Sequence, residues 1–299
     1  IALGASSLFV LLGILPIGHV FGAINWNVIL MLAGTMMVVE LFIQSQMPML
    51  IAEKLLQITP NVKWAVIVLS LFAGVVSAFV DNVATLLMLA PIGLSVSKKL
   101  HINPVPIIIS ISVSSNLQGA ATLVGDTTSI LLGGYAHMSF NDFFIYQGKP
   151  SIAFATEIGA LLTIPVLLIL FRKESKKISA QVETKVTNFI PTILLLAVIG
   201  SLIFASQFEH KPELTNGYIC LVFAFIGLLY EVLIRKKKEN VMSIIKAVDL
   251  KTLWLLIGLF IVVQGITEAG VIAAIADFFV KVGGRSALLM YVLILTVSV

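Results

Sequence analysis

Charged side chains are scarce in this chain. Asp, Glu, Lys and Arg account for 11% of its 299 residues, hydrophobic residues account for 59%, and the mean hydropathy is +1.08. A water-soluble domain needs more charge to cover its surface, so the composition excludes that class and predicts an integral membrane protein. A helix needs about 20 apolar residues to cross the hydrocarbon core. Stretches that approach or reach this length are residues 1–18, 24–43, 151–171, 189–208, 218–234 and 250–266.

Cysteine and histidine are also rare, and this removes two kinds of site. The single cysteine, Cys220, lies inside an apolar segment and has no partner for an intramolecular disulfide. The four histidines fall near predicted loops, and no two of them have the spacing of metal ligands. The sequence therefore predicts neither a disulfide framework nor a bound cofactor.

Positive charge is concentrated in residues 98–99, 172–177 and 235–238. Lys and Arg next to membrane spans mark the cytoplasmic side. We interpret these clusters as inner-side loops and not as a nucleic-acid surface. The pattern predicts a multi-pass protein of the cell (inner or plasma) membrane, with residues 172–188 as a cytoplasmic linker.

The chain carries a sign of internal duplication. A displacement of 224 positions aligns residues 25–75 with residues 249–299 without a gap, and Gly34 then matches Gly258. Such self-similarity favours a transporter built from repeats. If residues 64–97 form a re-entrant hairpin, the two copies have opposite orientations, whereas a single kinked span there would make them parallel. The basic flanks of this segment favour the hairpin.

These observations divide the chain into three parts. Residues 1–171 are expected to form a first transmembrane repeat, followed by the linker. Residues 189–299 are expected to hold connecting spans and the start of a second, truncated repeat, because the second copy of the hairpin tip would begin after Val299. The sequence is therefore expected to contain half of a paired site.

Two apolar segments are interrupted by polar residues. The first break is Asp81-Asn82, with Thr85 shortly after it. A carboxylate at bilayer depth is unfavourable unless it faces protein, water or a cation, so Asp81 is predicted to be functional. Asn82 and Thr85 add side-chain oxygen atoms that could coordinate a cation.

The second break interrupts a helix predicted over residues 104–135. Its candidate residues are Asn116, Gly119, Thr122, Gly125, Asp126 and Thr127. Unwound backbone at this depth is tolerated where it lines a cavity, and its carbonyls suit Na⁺ or a proton carrier while its N–H groups suit an anion. We predict that both breaks form one ion site, with Na⁺ near Asp81, Asn82, Asn116 and Asp126.

Each of these residues also has a purely structural interpretation. Small residues mark close helix packing, and Ser or Thr hydroxyls bond back to the helix. Glu157 lies six residues into its apolar segment. Two interpretations stay open: it faces the transport pathway, or it lies near the outer head groups. The case for a site is the occurrence of two acid-containing breaks, each between apolar arms.

At these breaks the sequence resembles the ion transporter superfamily, specifically the citrate-transporter-like domain shared by arsenite permeases, D-type Na⁺/H⁺ antiporters and the melanosomal P protein. Residues 77–91 resemble that group's Ser-Ala-Phe-(apolar)-Asp-Asn…Pro element. Residues 116–126, followed by residues 139–143, resemble its Asn-(x)-Gly-Gly-Ala-(small)-Thr-(apolar)-(apolar)-Gly-Asp element and the following loop. The match is specific over about 80 residues.

The resemblance implies an all-α, inverted-repeat transporter fold with one re-entrant hairpin and one discontinuous helix in each repeat. It also implies homodimers in the lipid bilayer that carry a small inorganic or organic ion together with Na⁺ or H⁺. Two departures affect the substrate. Dicarboxylate carriers have Ser-Asn-Thr where this chain has Asp81-Asn82-Val83, and many relatives have Pro-Pro-Asn where it has Thr127-Thr128-Ser129.

The functional prediction is a secondary active transporter that works by alternating access. Arsenite or another oxyanion, Na⁺, and a di- or tricarboxylate all remain open as substrates. Intramembrane aspartyl proteases also place two acids on apolar segments, but their Gly-x-Gly-Asp element is here Leu123-Val124-Gly125-Asp126. We therefore do not expect an enzyme. A channel or a receptor on the same fold is the remaining alternative.

Overall fold

The fold is mostly helical. The computed structural model describes residues 2–100, 102–177, 184–186, 188–208, 211–236, 238–283 and 286–298. The α-helices are α1 Ala2–Leu11, α2 Val20–Ala23, α3 Trp26–Gln44, α4 Met47–Gln57, α5 Val62–Ser77, α6 Asn82–Leu100, α7 Pro104–Gly119, α8 Thr127–Tyr135, α9 Ile152–Leu170, α10 Ile190–Ala205, α11 Thr215–Leu229, α12 Lys238–Lys246, α13 Leu250–Glu268, α14 Val271–Gly283 and α15 Ala287–Ser298. A π-helical turn, Tyr230–Ile234, continues α11, and two-residue strands β1 Ile145–Tyr146 and β2 Lys149–Pro150 pair antiparallel. The prediction of an all-α membrane protein is confirmed.

Several helices have the length and composition of membrane spans. Within the described residues these are Trp26–Gln44, Ile152–Leu170, Thr215–Ile234 and Glu239–Glu268, the last of which begins at the second residue of α12 and ends with α13. The first helix is shorter than the span predicted over residues 1–18. This helix, α1, ends at Leu11, because Gly13 adopts a φ of +71° and Pro16 follows, and neither residue continues a helix.

The chain divides into two compact units, Trp26–Asp249 and Ile1–Asn25 with Leu250–Val299. In the larger unit, α3 packs along α11, and α10 packs on both. The backbones of α3 and α11 approach closely, because a β-carbon added at Gly34 would lie 2.5 Å from the carbonyl carbon of Cys220. Such close van der Waals contact between small residues stabilises helix pairs in membranes. We refer to α3, α10 and α11 as the α3 group.

A second set of helices in the same unit, α5, α6, α7 and α9, forms what we call the hairpin group. Its apolar core joins the start of α5, the second half of α6, the start of α7 and the end of α9. The buried members of this core in these helices are Val62, Ala65, Val66, Ile67, Leu69, Ala73, Leu89, Ile92, Val96, Ile107, Ile111 and Leu167. Since the start of α5 and the end of α6 share one core, the two helices fold back on each other.

The segment after α9 returns to the base of this hairpin. The backbone N–H of Val62 donates to the carbonyl of Lys176 at 3.1 Å, and the N–H of Lys63 donates to the carbonyl of Glu174 at 3.1 Å. The beginning of the basic segment therefore lies at the same end of the larger unit as the start of α5.

In the smaller unit, α1 packs against α13. A β-carbon added at Gly258 would lie 2.8 Å from the carbonyl carbon of Ala2, and one added at Gly265 would lie 2.5 Å from Cδ1 of Phe9. This helix pair is therefore also formed by close approach at glycine.

The helix boundaries repeat at the displacement found in the sequence. α3 and α13 begin at residues 26 and 250, and α4 and α14 begin at residues 47 and 271, so each pair is 224 residues apart. Gly34 and Gly258 are equivalent under this displacement, and each lies against the backbone of a neighbouring helix. Two helix starts and one close glycine contact therefore recur at this displacement.

Candidate ion-binding site

The hairpin tip is a short non-helical segment between α5 and α6. The helix α5 ends at Ser77, and α6 begins at Asn82. Asp81 caps α6, because its Oδ2 atom accepts hydrogen bonds from the backbone N–H groups of Val83 at 3.0 Å and Ala84 at 3.1 Å. An Asp side chain in this position satisfies N–H groups that have no partner within the helix and complements the positive end of the helix dipole. The same residue that interrupts the apolar segment therefore starts the second arm.

The second break separates α7 from α8. The helix α7 ends at Gly119 and α8 begins at Thr127, so residues 120–126 are not α-helical. Ser129 closes part of this gap, since its Oγ donates to the Ala120 carbonyl at 3.3 Å. The hydroxyl of Thr122 also accepts a hydrogen bond from the N–H of Val124 at 3.3 Å. Local hydrogen bonds thus give the interrupted segment a defined shape.

The tip and the second break are in direct contact. The Thr122 hydroxyl donates to the carbonyl of Ala78 across the two elements. Nδ2 of Asn82 donates to Oδ1 of Asn116 at 2.6 Å. The Ser115 hydroxyl can donate to the Asn82 carbonyl at 3.1 Å, and its Oγ also lies 3.1 Å from Oγ of Ser77, which can supply the other hydrogen. Side chains from both predicted breaks therefore form one polar cluster.

Glycine permits the closest part of this contact. A β-carbon added at Gly125 would lie 2.6 Å from the carbonyl oxygen of Ala78, 2.7 Å from that of Ser77, and closer still to that of Gly119. Real β-carbons do not approach backbone oxygens this closely, so only glycine fits at position 125. Three carbonyl oxygens from two chain segments consequently converge around Gly125.

Two carboxylates border this cluster. Asp126 is half-buried, and its Oδ2 accepts a hydrogen bond from the Thr128 hydroxyl at 3.0 Å. It precedes α8, but among the described residues its side chain makes no capping bond to that helix. Asp81 is also half-buried and lies near enough to Asp126 for the two charges to interact. Like charges close together disfavour each other's ionised form, and a proton or a cation nearby relieves that repulsion.

The remaining predicted residues have different surroundings. Thr85 is fully buried inside the hairpin, where its hydroxyl donates to the Val80 carbonyl at 3.4 Å. Thr127 is half-buried in the first turn of α8. Gly119 lies against the tip, since a β-carbon added there would be 3.2 Å from Oγ of Ser77. Glu157 is exposed on α9. Asp81, Asn82, Asn116, Gly119, Thr122, Gly125 and Asp126 thus meet at the tip and break, whereas Glu157 does not join them.

Sequence reasoning missed two hydroxyls of this cluster, Ser77 and Ser115. Both are fully buried, and they are hydrogen-bonded to each other. Ser77 lies four residues before Asp81, and Ser115 is next to Asn116. Neither position forms a distinctive pattern, because serine is common wherever membrane helices pack closely. Only the meeting of α5 with α7 reveals their role.

The loop after α8 contains an acid, Asp142, that interacts with a charged residue of another loop. The carboxylate of Asp142 accepts hydrogen bonds from the N–H and the Oγ of Ser139, at 2.6 and 2.7 Å. Lys211, in the loop between α10 and α11, interacts electrostatically with Asp142. Burial lowers the pKa of the Lys211 ammonium, and the Asp142 charge opposes that shift. These interactions connect the α8 loop to the end of the α3 group.

The family that matches this chain, and several proteins similar to it, are described as transporters. The family model of CitMHS, described as citrate transporter, matches residues 1–299. An uncharacterized transporter of Mycobacterium tuberculosis is 28% identical over 317 aligned positions, which cover 100% of this chain and 70% of that protein. A 46 kDa membrane protein of Mycobacterium leprae is 30% identical over 281 positions, covering 92% of this chain and 64% of that protein.

The P protein, which the resemblance led us to expect, is also found. The P protein of Mus musculus is 31% identical over 133 positions, which cover 44% of this chain and 16% of the P protein. The resemblance stated from the two breaks is therefore confirmed. Because the family is described as a citrate transporter and the Mycobacterium tuberculosis relative is named a transporter, the comparisons support a transporter and not an intramembrane protease. The chain belongs to the CitMHS citrate transporter family and is a membrane transporter, not an enzyme.

Proposed function

We propose that the tip and the break form the coupling-ion half of a secondary active transporter that works by alternating access. The observation that carries this proposal is the convergence of the Ser77, Ala78 and Gly119 carbonyl oxygens around Gly125. Oxygen atoms are the ligands that Na⁺ requires, and broken helices supply them where a membrane protein binds ions. The adjacent carboxylates of Asp81 and Asp126 provide the negative charge for Na⁺ or H⁺.

The substrate is proposed to be a small anion that binds beside the coupling ion. The dipole of α8 directs its positive end toward the break, and the Asp126 side chain does not cap that end within the described residues. The amide groups of Asn82 and Asn116 offer further polar contacts. The family description makes citrate the first anion to test, with other di- and tricarboxylates and arsenite as the alternatives.

Alternating access requires one helix group to move against another. The tip meets the α3 group through an apolar cluster in which Val80 packs with Val39 and Phe42 of α3. Leu195 of α10 packs against the same cluster. Apolar surfaces without directional bonds can slide more readily than hydrogen-bonded ones, so this contact suits a shear motion of the hairpin group. We further propose that the site is paired with a counterpart from an inverted repeat and that the transporter works as a homodimer.

The test is transport by the full-length protein in proteoliposomes. The substitution Asp81→Asn removes the charge, and because Asn is as good a helix cap as Asp, it retains the start of α6. We expect gradient-driven uptake of the anion to fall to background, while the melting temperature in detergent stays near that of the wild type. The matched control is Glu157→Gln, which neutralises an exposed acid on α9 and should leave uptake intact.

Two results would contradict the proposal. Gradient-driven uptake that is unchanged in Asp81→Asn would remove the carboxylate from ion coupling. Flux that does not saturate with substrate and runs at pore-like rates would indicate a channel. The anion itself can be identified by a thermal-shift screen of citrate, other carboxylates and arsenite, since a ligand that binds only the folded state must stabilise it.

A further inference from the structure

The side chain of Gln118 fills a notch in the first arm of the hairpin. Gln118 lies in the last turn of α7, is 1% exposed, and rests on α5 at Gly74. A β-carbon added at Gly74 would lie 2.6 Å from Nε2 of Gln118 and closer still to its Cδ and Oε1 atoms. Any larger residue at position 74 would therefore displace this amide.

Packing, and not a hydrogen bond at its oxygen, holds the amide in place. Oε1 of Gln118 is buried and has no hydrogen-bond partner among the described residues. The same is true of Oγ of Ser70, which lies one helical turn before Gly74 on α5. A buried acceptor without a donor is unfavourable. Because no hydrogen bond fixes this oxygen, the position of the Gln118 amide depends on its steric fit against Gly74.

Both ends of this contact are next to atoms of the ion site. The carbonyl of Gly74 accepts a hydrogen bond from the N–H of Ala78 at 2.9 Å, and Ala78 is a tip residue. Gln118 directly precedes Gly119, whose carbonyl oxygen faces Gly125. A change in the separation of Gly74 and Gln118 would therefore move carbonyl oxygens on both sides of the site.

We propose that Gln118 is a positioning residue for the coupling ion, and that its amide in the Gly74 notch sets the separation of the tip and break carbonyls. This inference rests on the proposed function of those carbonyls. Gln118 itself does not contact the ion. It acts as a spacer that keeps the hairpin and the broken helix in register while the hairpin group moves.

The experiment compares Gly74→Ala, Gln118→Ala and the double variant with wild type, all as full-length protein. The first readout is the NaCl concentration that gives half of the maximal rise in melting temperature, with choline chloride at the same ionic strength as the reference and pH varied in parallel. The second readout is uptake into proteoliposomes, separated into half-saturating Na⁺ and maximal rate. Gly200→Ala is the control, because a β-carbon there meets no atom within 4 Å.

We expect Gly74→Ala to raise the half-saturating Na⁺ concentration about tenfold, within the range of coupling between residues in contact. The double variant should return to within about threefold of wild type, since the added methyl group fills part of the space that the amide leaves. Gln118→Ala removes the spacer without a clash. It should fold, and it too should bind Na⁺ more weakly.

Two outcomes overturn the inference while leaving the proposed function intact. The first is an ion response in Gly74→Ala equal to that of wild type. The second is a double variant no better than Gly74→Ala, which would mean that the notch and the amide act separately. If wild type itself shows no stabilisation by Na⁺ and no dependence on pH, the proposed function fails and this inference fails with it.

Discussion

Replacing Gly125 with alanine should separate the hairpin tip from the broken helix. The added β-carbon would meet the carbonyl oxygens of Ala78 at 2.6 Å and Ser77 at 2.7 Å, with the Gly119 oxygen closer still. All three are main-chain atoms, and no flexible side-chain end is available to move aside. The clash can therefore be relieved only by moving main chain, either the segment that holds Gly125 or the ends of α5 and α7.

The expected cost follows from the nature of these neighbours. Overpacking a well-packed interior costs about 1–3 kcal/mol, and rigid neighbours place Gly125→Ala in the upper part of that range. The control Gly200→Ala has open space at its β-carbon. In a helix interior, alanine is favoured over glycine by about 0.5–1 kcal/mol, so the control should change stability in the opposite direction.

The assay is thermal and denaturant unfolding of the full-length protein in detergent, with and without NaCl. Gly125→Ala should lose stability in both conditions and should lose most of the stabilisation by Na⁺. If Gly125→Ala unfolds like wild type and responds to Na⁺ like wild type, the carbonyls around position 125 do not form a packed ion site. A loss of stability without a change in the Na⁺ response would assign Gly125 to packing alone.

Two further predictions concern hydrogen bonds of the larger unit. Replacing Asn82 or Asn116 with alanine removes a 2.6 Å bond between tip and break, and a double-mutant cycle of unfolding free energies should give a coupling of about 1 kcal/mol; additive effects would refute the bond. Glu231 is 1% exposed and accepts bonds from Arg235 and Asn240, each at 3.2 Å. Arg235→Met should lower the free energy of unfolding by about 1–3 kcal/mol, because the buried Glu231 carboxylate would keep only one partner. A urea midpoint equal to that of wild type would contradict this prediction.

The helical class and most spans could be predicted from the sequence, because hydrophobicity over about 20 residues is a local property. The family followed from two short motifs for the same reason. Local chemistry also explains the prediction that was wrong, since the apolar run through residue 18 masked the effect of Gly13 and Pro16 on α1. Composition does not distinguish an apolar helix from an apolar turn.

The contacts that define the site could not be read from the sequence in the same way. The pairing of Gly74 with Gln118 joins positions 44 residues apart, and neither residue has a distinctive pattern around it. Asp81 and Asp126 stood out because charge is rare in apolar segments, whereas Ser77 and Ser115 resemble ordinary packing residues. The ion, its ligands and the inverted orientation of the repeats stay predictions.

The segment after α9 is hydrogen-bonded to the base of the hairpin through main-chain atoms of Glu174 and Lys176. The bonds from Val62 to Lys176 and from Lys63 to Glu174 use backbone N–H and carbonyl groups. Such bonds are indifferent to side-chain identity, so substitutions at Glu174 and Lys176 should leave these two bonds in place. A one-residue deletion has a different effect, because it shifts every later carbonyl out of register. At this position the length of the chain, more than its composition, is under constraint.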